Sequence, residues 1–179
     1  MVAFILSQAE KNEIQLAEMT LAKYLYLLQT IYKIQLNLKF KGWHLGPYAP
    51  EIKRIINNRT YFKWDKSAIK ILNQDKLTKY NFNYKEEIEE SMNSLAGIFS
   101  RYSVKDRSWK TELLATLCRV IEEIQTLDFD FVRKSMQDWP IELNSSKFKN
   151  KAQKFSEDET KKCLAFIQKE GWDQILLNK

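Results

Sequence analysis

The chain has 179 residues, with 29 Lys+Arg against 23 Asp+Glu, a formal net charge of +6 and a sequence pI of about 9.1. Hydrophobic residues make up 44% and charged residues 29%, the balance of a globular chain and not of a disordered one. This length can bury a core without disulfides or a structural metal, and only four Gly and three Pro argue against a many-turned β-sandwich or a Gly-rich nucleotide fold.

The elements are predicted in chain order as follows. Val2 to Glu10 is an apolar helix with Phe4, Ile5 and Leu6 inward. Thr20 caps a second helix, whose stripe Leu21, Tyr24, Leu25, Leu28, Ile31 and Tyr32 follows helical spacing. Phe40 to Pro50 carries turn chemistry, because Gly42, Gly46, Pro47 and Pro50 concentrate there. Glu51 to Asn57 reads as a short helix with Pro50 at its first turn. Tyr61–Trp64 and Ala68–Leu72 read as a β-hairpin, from β-prone and alternating residues on either side of a turn. A helix followed by a hairpin is the outline of a winged-helix lobe.

The remainder reads as helical. Tyr84 to Tyr102 places Ile88, Met92, Leu95, Ile98 and Phe99 on one face, and Thr111 to Thr126 is a second apolar stripe. Asp128 caps a helix over Phe129–Trp139 that Pro140 stops. Ser156 and Glu159 form a capping box for the last helix, with Cys163, Phe166 and Ile167 inward and Gly171 at its end. The expected fold is mainly α: one helical domain over 1–179 with a small winged-helix-like hairpin in its N-terminal half. Within that single domain, 1–83 (helices plus hairpin) and 84–179 (helical) are candidate lobes.

Little supports catalysis. The chain has one histidine, His44, and two cysteines, Cys118 and Cys163, far apart in sequence. They suffice neither for a Cys/His metal centre nor, without partners nearby in sequence, for a Ser-His-Asp or Cys-His mechanism. No Walker A loop and no GxGxxG occurs. No cofactor and no metal is therefore expected. The acids Glu86, Glu87, Glu89 and Glu90, and the pair Glu122–Glu123, read as solvated helix faces. The opening MVAFILSQAEKNE lacks the basic segment of a secretory signal, and no apolar run reaches the roughly 18–20 residues of a membrane span. Both cysteines fall in apolar stripes, which predicts free buried thiols in a reducing cytoplasm.

Two groups of residues point to binding. The Phe40–Glu51 segment either presents Trp43, His44 and Tyr48 to a protein partner, with Lys53 beside them, or is a structural corner that tucks Leu45 and Tyr48 under the next helix. The cations Lys39, Lys41, Arg54, Arg59 and Lys63 surround that turn and the hairpin, and Lys147, Lys149 and Lys151 cluster later among aromatics. Either they contact nucleic-acid phosphates or they form an ordinary solvated face.

Several segments carry a family resemblance. Leu21-Ala-Lys-Tyr-Leu-Tyr-Leu-Leu-Gln29 followed by Leu38-Lys-Phe-Lys-Gly-Trp-His-Leu-Gly-Pro-Tyr-Ala-Pro50 resembles the opening of the C-terminal domain of the DarG antitoxin family. A looser form is similar to the Panacea antitoxin-associated domains. Glu112-Leu-Leu-Ala-Thr116, Trp139, Lys147–Phe155, Ser156-Glu-Asp-Glu159 and Gly171-Trp172 resemble the rest of the DarG pattern, so the likeness runs from about residue 20 to residue 173.

The resemblance implies an α-rich, non-enzymatic module of toxin–antitoxin or phage-defence systems that neutralises a partner by binding it. In DarG the ADP-ribose chemistry belongs to a separate macrodomain, of which this chain has neither the length nor the Gly-rich loops. A domain that imitates DNA to block a DNA-modifying toxin would be acidic, whereas this chain is basic. Either the acidic face at Glu86–Glu90 acts locally or the partner differs. The alternative expectation is a winged-helix nucleic-acid binder.

Overall fold

A computed structural model describes residues 1–65, 68–72, 84–139 and 148–178. Among them are nine helices and two antiparallel hairpins: α1 (Val2–Lys11), α2 (Glu18–Thr30), β1 (Lys41–Trp43), β2 (Gly46–Tyr48), α3 (Glu51–Ile56), β3 (Phe62–Asp65), β4 (Ala68–Ile71), α4 (Lys85–Ser100), α5 (Val104–Ile124), α6 (Phe129–Asp138), α7 (Lys151–Lys154), α8 (Glu157–Lys169) and α9 (Trp172–Leu177). The fold is mainly α with its β-structure in the N-terminal half, as the sequence predicts.

The centre of the molecule is α2 packed on α5. Every residue from Leu21 to Leu28 is buried, so α2 is enclosed all round and does not show an amphipathic stripe. Its run Leu-Ala-Lys-Tyr-Leu-Tyr-Leu-Leu has one charge, Lys23, and that charge goes inside with the rest. The helix starts at Glu18 with Ala17 as N-cap; Thr20 lies in its first turn, with Oγ1 3.3 Å from Ser108 Oγ, and is not the cap.

Around this centre, α1 packs on α4, β2 and α3 lie against α2, and α6, α8 and α9 pack on α5. One contiguous hydrophobic cluster spans both sides of residue 83, from Ala3 to Leu176. The α5 helix is longer than its periodicity predicts. It begins at Val104 under a Ser103 cap, and the polar first turns hide it from a hydrophobic-stripe reading.

Local chemistry elsewhere follows the sequence. Asp128 accepts from the amides of Asp130 and Phe131, and Ser156 with Glu159 forms the reciprocal capping box. Gly171 takes φ +69° one residue beyond the α8 C-cap, a left-handed position that suits glycine. The β3–β4 pair aligns Phe62 with Ile71, Lys63 with Lys70, Trp64 with Ile69 and Asp65 with Ala68. The expected stop at Pro140 and the boundary at Asn83 lie outside the described residues.

The thiols are free. Cys118 is fully buried in α5, while Cys163 on α8 is half-buried and lines a cavity of about 170 Å3 with Phe99, Tyr102, Leu114 and Phe166. Burial pushes the Cys163 thiol up to about 12 and raises the Cys118 thiol well above its ordinary value. Among the described residues no helix is long and apolar enough to cross a membrane.

Candidate interaction site

The Phe40–Pro50 segment is a β-hairpin, not a loop. β1 and β2 pair Lys41 with Tyr48, Gly42 with Pro47 and Trp43 with Gly46, leaving His44 and Leu45 in the turn. Strands of three residues containing Gly and Pro defeat any propensity reading. Gly46 sits at φ +96°, where a side chain is strained, so glycine is needed to bring the chain out of the turn.

The hairpin is held from several directions. Gln29 at the end of α2 donates from Nε2 to the Leu38 carbonyl and accepts from the Leu38 amide at Oε1, both at 2.9 Å. This pair mimics a strand neighbour and fixes the chain on its way into β1. Phe40 then packs edge-on against Tyr26, with ring centroids 5.3 Å apart. Trp139, immediately after α6, donates from Nε1 to the Trp43 carbonyl at 2.9 Å. Its ring lies so close to Gly42 that a Cβ there would stand 3.3 Å from it. Tyr48 donates its hydroxyl to Glu18 Oε1 at 2.6 Å, and burial together with that carboxylate pushes the phenol well up.

The result is a rigid platform for the predicted contact residues. The Trp43 indole is 46% exposed. Its ring centroid lies 5.3 Å from that of His44 and 6.1 Å from that of Tyr48. Lys53 is exposed on α3. The structure therefore brings Trp43, His44 and Tyr48 into one aromatic group. Tyr48 serves the fold as well, and Leu45 is half-buried.

Beneath the hairpin lies a buried charge cluster that the sequence reading missed. Glu112 Oε1 accepts from Lys151 Nζ at 2.5 Å and from Lys154 Nζ at 2.7 Å. Lys23 points into the same region. A Cβ added to Gly46 would stand 3.2 Å from Lys23 Cε and 3.1 Å from Thr116 Oγ1. Lys23 is 2% exposed, and neither its Nζ nor Thr116 Oγ1 has a hydrogen-bond partner among the described residues.

Burial pulls Lys23 down to about 7, against the attraction of Glu112 and with the repulsion of Lys151 and Lys154. Lys151 is pulled down to about 8 by the same burial, partly offset by Glu112. Arg133 of α6 secures this corner by donating to the carbonyls of Ala152 and Phe155 at 2.9 and 2.8 Å. The segments that carry the family resemblance thus meet in space: Lys23 to Gln29, the Gly46-Pro47-Tyr48 strand, Glu112 to Thr116, Trp139, and Lys151 to Phe155.

This geometry corrects one predicted nucleic-acid contact. Lys151 is fully buried and ion-paired, so it cannot meet a phosphate. Lys147 lies outside the described residues, and Lys149 is exposed beside α7. Lys39, Lys41, Arg54, Arg59 and Lys63 are all exposed.

The acidic faces are solvated as expected except at Glu122; Glu89 and Glu123 form surface ion pairs. Glu122 is half-buried and accepts the Tyr26 hydroxyl at 2.8 Å, and Glu89 pairs with Lys11. Among the described residues no group of three or more His, Cys, Asp and Glu could hold a metal ion. No family model matches the chain, and no curated protein matches it significantly.

Proposed function

We propose that the protein is a non-enzymatic interaction module, antitoxin-like, that binds and neutralises a toxin or defence-system protein in the cytoplasm through the face of its first hairpin. The observation that supports this most is Trp43: a large aromatic left half-exposed on a hairpin held by Trp139 at the Trp43 carbonyl, by Glu18 at the Tyr48 hydroxyl and by Gln29 at Leu38 on the way in. An exposed indole held in place before binding loses little conformational freedom when it is covered, which is the property of an interface anchor. His44 and Tyr48 widen the aromatic contact, and Lys53 supplies a charge at its edge. The likeness of the underlying segments to the DarG and Panacea domains is what favours a toxin or defence-system protein as the partner.

The test is co-expression and co-purification with the product of the neighbouring gene, followed by titration of the purified pair. Trp43→Ala should weaken binding by on the order of 2 kcal/mol, the loss expected of a hot-spot aromatic. An unchanged affinity would assign Trp43 to no partner contact, and failure to bind or protect against any adjacent toxin or nuclease would overturn the reading.

A further inference from the structure

We propose that the groove between α3 and the β3–β4 ribbon binds single-stranded nucleic acid, with an unpaired base stacked on Trp64 and adjacent phosphates held by Arg59 and Lys63. This surface is separate from the Trp43 face and does not depend on the reading above. The groove has a volume of about 610 Å3 and is lined by Ile56, Asn57, Arg59, Phe62, Lys63 and Trp64, with Leu72 at its edge. Trp64 is 46% exposed, and no ring or cation stacks on it among the described residues. Phe62, two residues earlier, is buried, so the ribbon is anchored while Trp64 is left outside.

The charges favour an anionic polymer. Lys63 stands directly across the ladder from Lys70, a like-charge pairing that costs cross-strand stability. Lys70 is neutralised by Glu10 Oε1 at 2.9 Å, whereas neither Lys63 nor Arg59 meets a carboxylate among the described residues. None of the described lining residues is acidic. Arg54 adds an exposed positive charge on α3, likewise without an ion pair among the described residues.

Cations beside an unstacked indole fit a strand whose bases are free to stack, because a base inside a duplex presents no open face. An acidic peptide would satisfy the cations but leave Trp64 without a flat partner. Asn57 is the one uncharged polar side chain among the described lining residues, so the groove has little with which to read a 2′-hydroxyl. DNA and RNA strands should therefore bind alike.

The experiment is a fluorescence-anisotropy titration of the full chain with short labelled single-stranded DNA and RNA of one sequence and with the matching duplex, each across a salt series. Polyglutamate serves as competitor. The expected result is salt-sensitive binding of both single strands and weaker binding of the duplex. Trp64→Ala should lose about tenfold in affinity, and Trp64→Phe should recover most of it. The double variant Arg59→Ala/Lys63→Ala should flatten the slope of log K against log salt by about 1.4, the change for two lost phosphate contacts on a single strand. Circular dichroism of Trp64→Ala checks that the fold is intact. The proposal is overturned by no oligonucleotide binding at low salt, by unchanged affinity in folded Trp64→Ala, or by duplex binding as tight as single-strand binding. Binding of RNA alone, or displacement by polyglutamate as efficient as by unlabelled oligonucleotide, overturns it too.

Discussion

The two hairpins share a topology and differ in what stands behind them. The first is built on the centre of the molecule. Gly46 rests over Lys23 and Thr116, Gly42 rests on Trp139, and the strands are tied to α2 and to the end of α6. The second lies at the periphery. It packs on α1, donates the Ile69 amide to the Leu16 carbonyl at 3.0 Å, and buries Phe62, Ala68 and Ile69. Both leave one tryptophan 46% exposed. In the first hairpin that tryptophan is fixed through its own carbonyl; in the second it is carried on a two-stranded ribbon. Equal exposure therefore goes with different anchoring, which is why we propose different partners: a shaped protein surface for Trp43 and a strand of stacked bases for Trp64.

The largest effect on this contrast should come from Trp139→Ala. It removes a nearly buried indole and the donor to the Trp43 carbonyl, and truncating a buried Trp typically costs about 3–5 kcal/mol. Chemical denaturation should show that loss, and partner binding through Trp43 should fall with it while oligonucleotide binding is retained in the folded fraction. Equal damage to both surfaces would remove the distinction between the hairpins.

A smaller effect concerns the charge under the first hairpin. Folded Lys23 titrates at about 7, below the ordinary lysine value of 10.5, so between those limits the unfolded chain holds a proton that the folded chain has released. Stability contributed by this group therefore rises with pH across that window and is lowest below about 7. Lys151 adds a rise in the same direction from about 8. The buried thiols and phenols act oppositely in the alkaline range, so the informative quantity is the difference between wild type and Lys23→Met. The variant should be more stable by about 2 kcal/mol below neutrality, as expected when a buried unpaired charge gives way to an apolar chain. That advantage should shrink toward pH 10, and a Lys23→Met protein less stable than wild type at neutral pH would refute the account.

The smallest effect should be Trp64→Ala on stability, within about 0.5 kcal/mol as for a surface site free of special contacts. Thermal denaturation checks it. A larger loss would mean that the second hairpin leans on its tryptophan as the first leans on Trp139.

Local chemistry was legible in the sequence where it is complete within a few residues. The Asp128 cap, the Ser156–Glu159 box, the Gly171 terminus and the β3–β4 alternation each rest on neighbours in the chain. Lys151 was not legible, because its burial depends on Glu112, 39 residues earlier, and isolated lysines read as surface. Lys23 was hidden for a related reason: it lies off the Leu21–Tyr24–Leu25–Leu28 stripe, and a stripe marks one inward face, whereas this helix is enclosed on every side. The first hairpin was disguised by its Gly and Pro content, yet its aromatic trio was anticipated, since Trp43, His44 and Tyr48 lie close along the chain. What tied them to Glu112, Trp139 and Lys151 was long-range packing.

The two thiols sit at unequal depths, one sealed in α5 and one beside a small cavity between α4, α5 and α8. Burial raises both thiols and so keeps the reactive thiolate scarce, which should make alkylation of both slow, and slowest at the fully covered Cys118. Cys163, half-buried beside its cavity, needs little opening, whereas Cys118 requires α5 to separate from its neighbours. The order and spacing of the two modification rates thus time local breathing against global opening, giving the chain an internal clock that needs no added label.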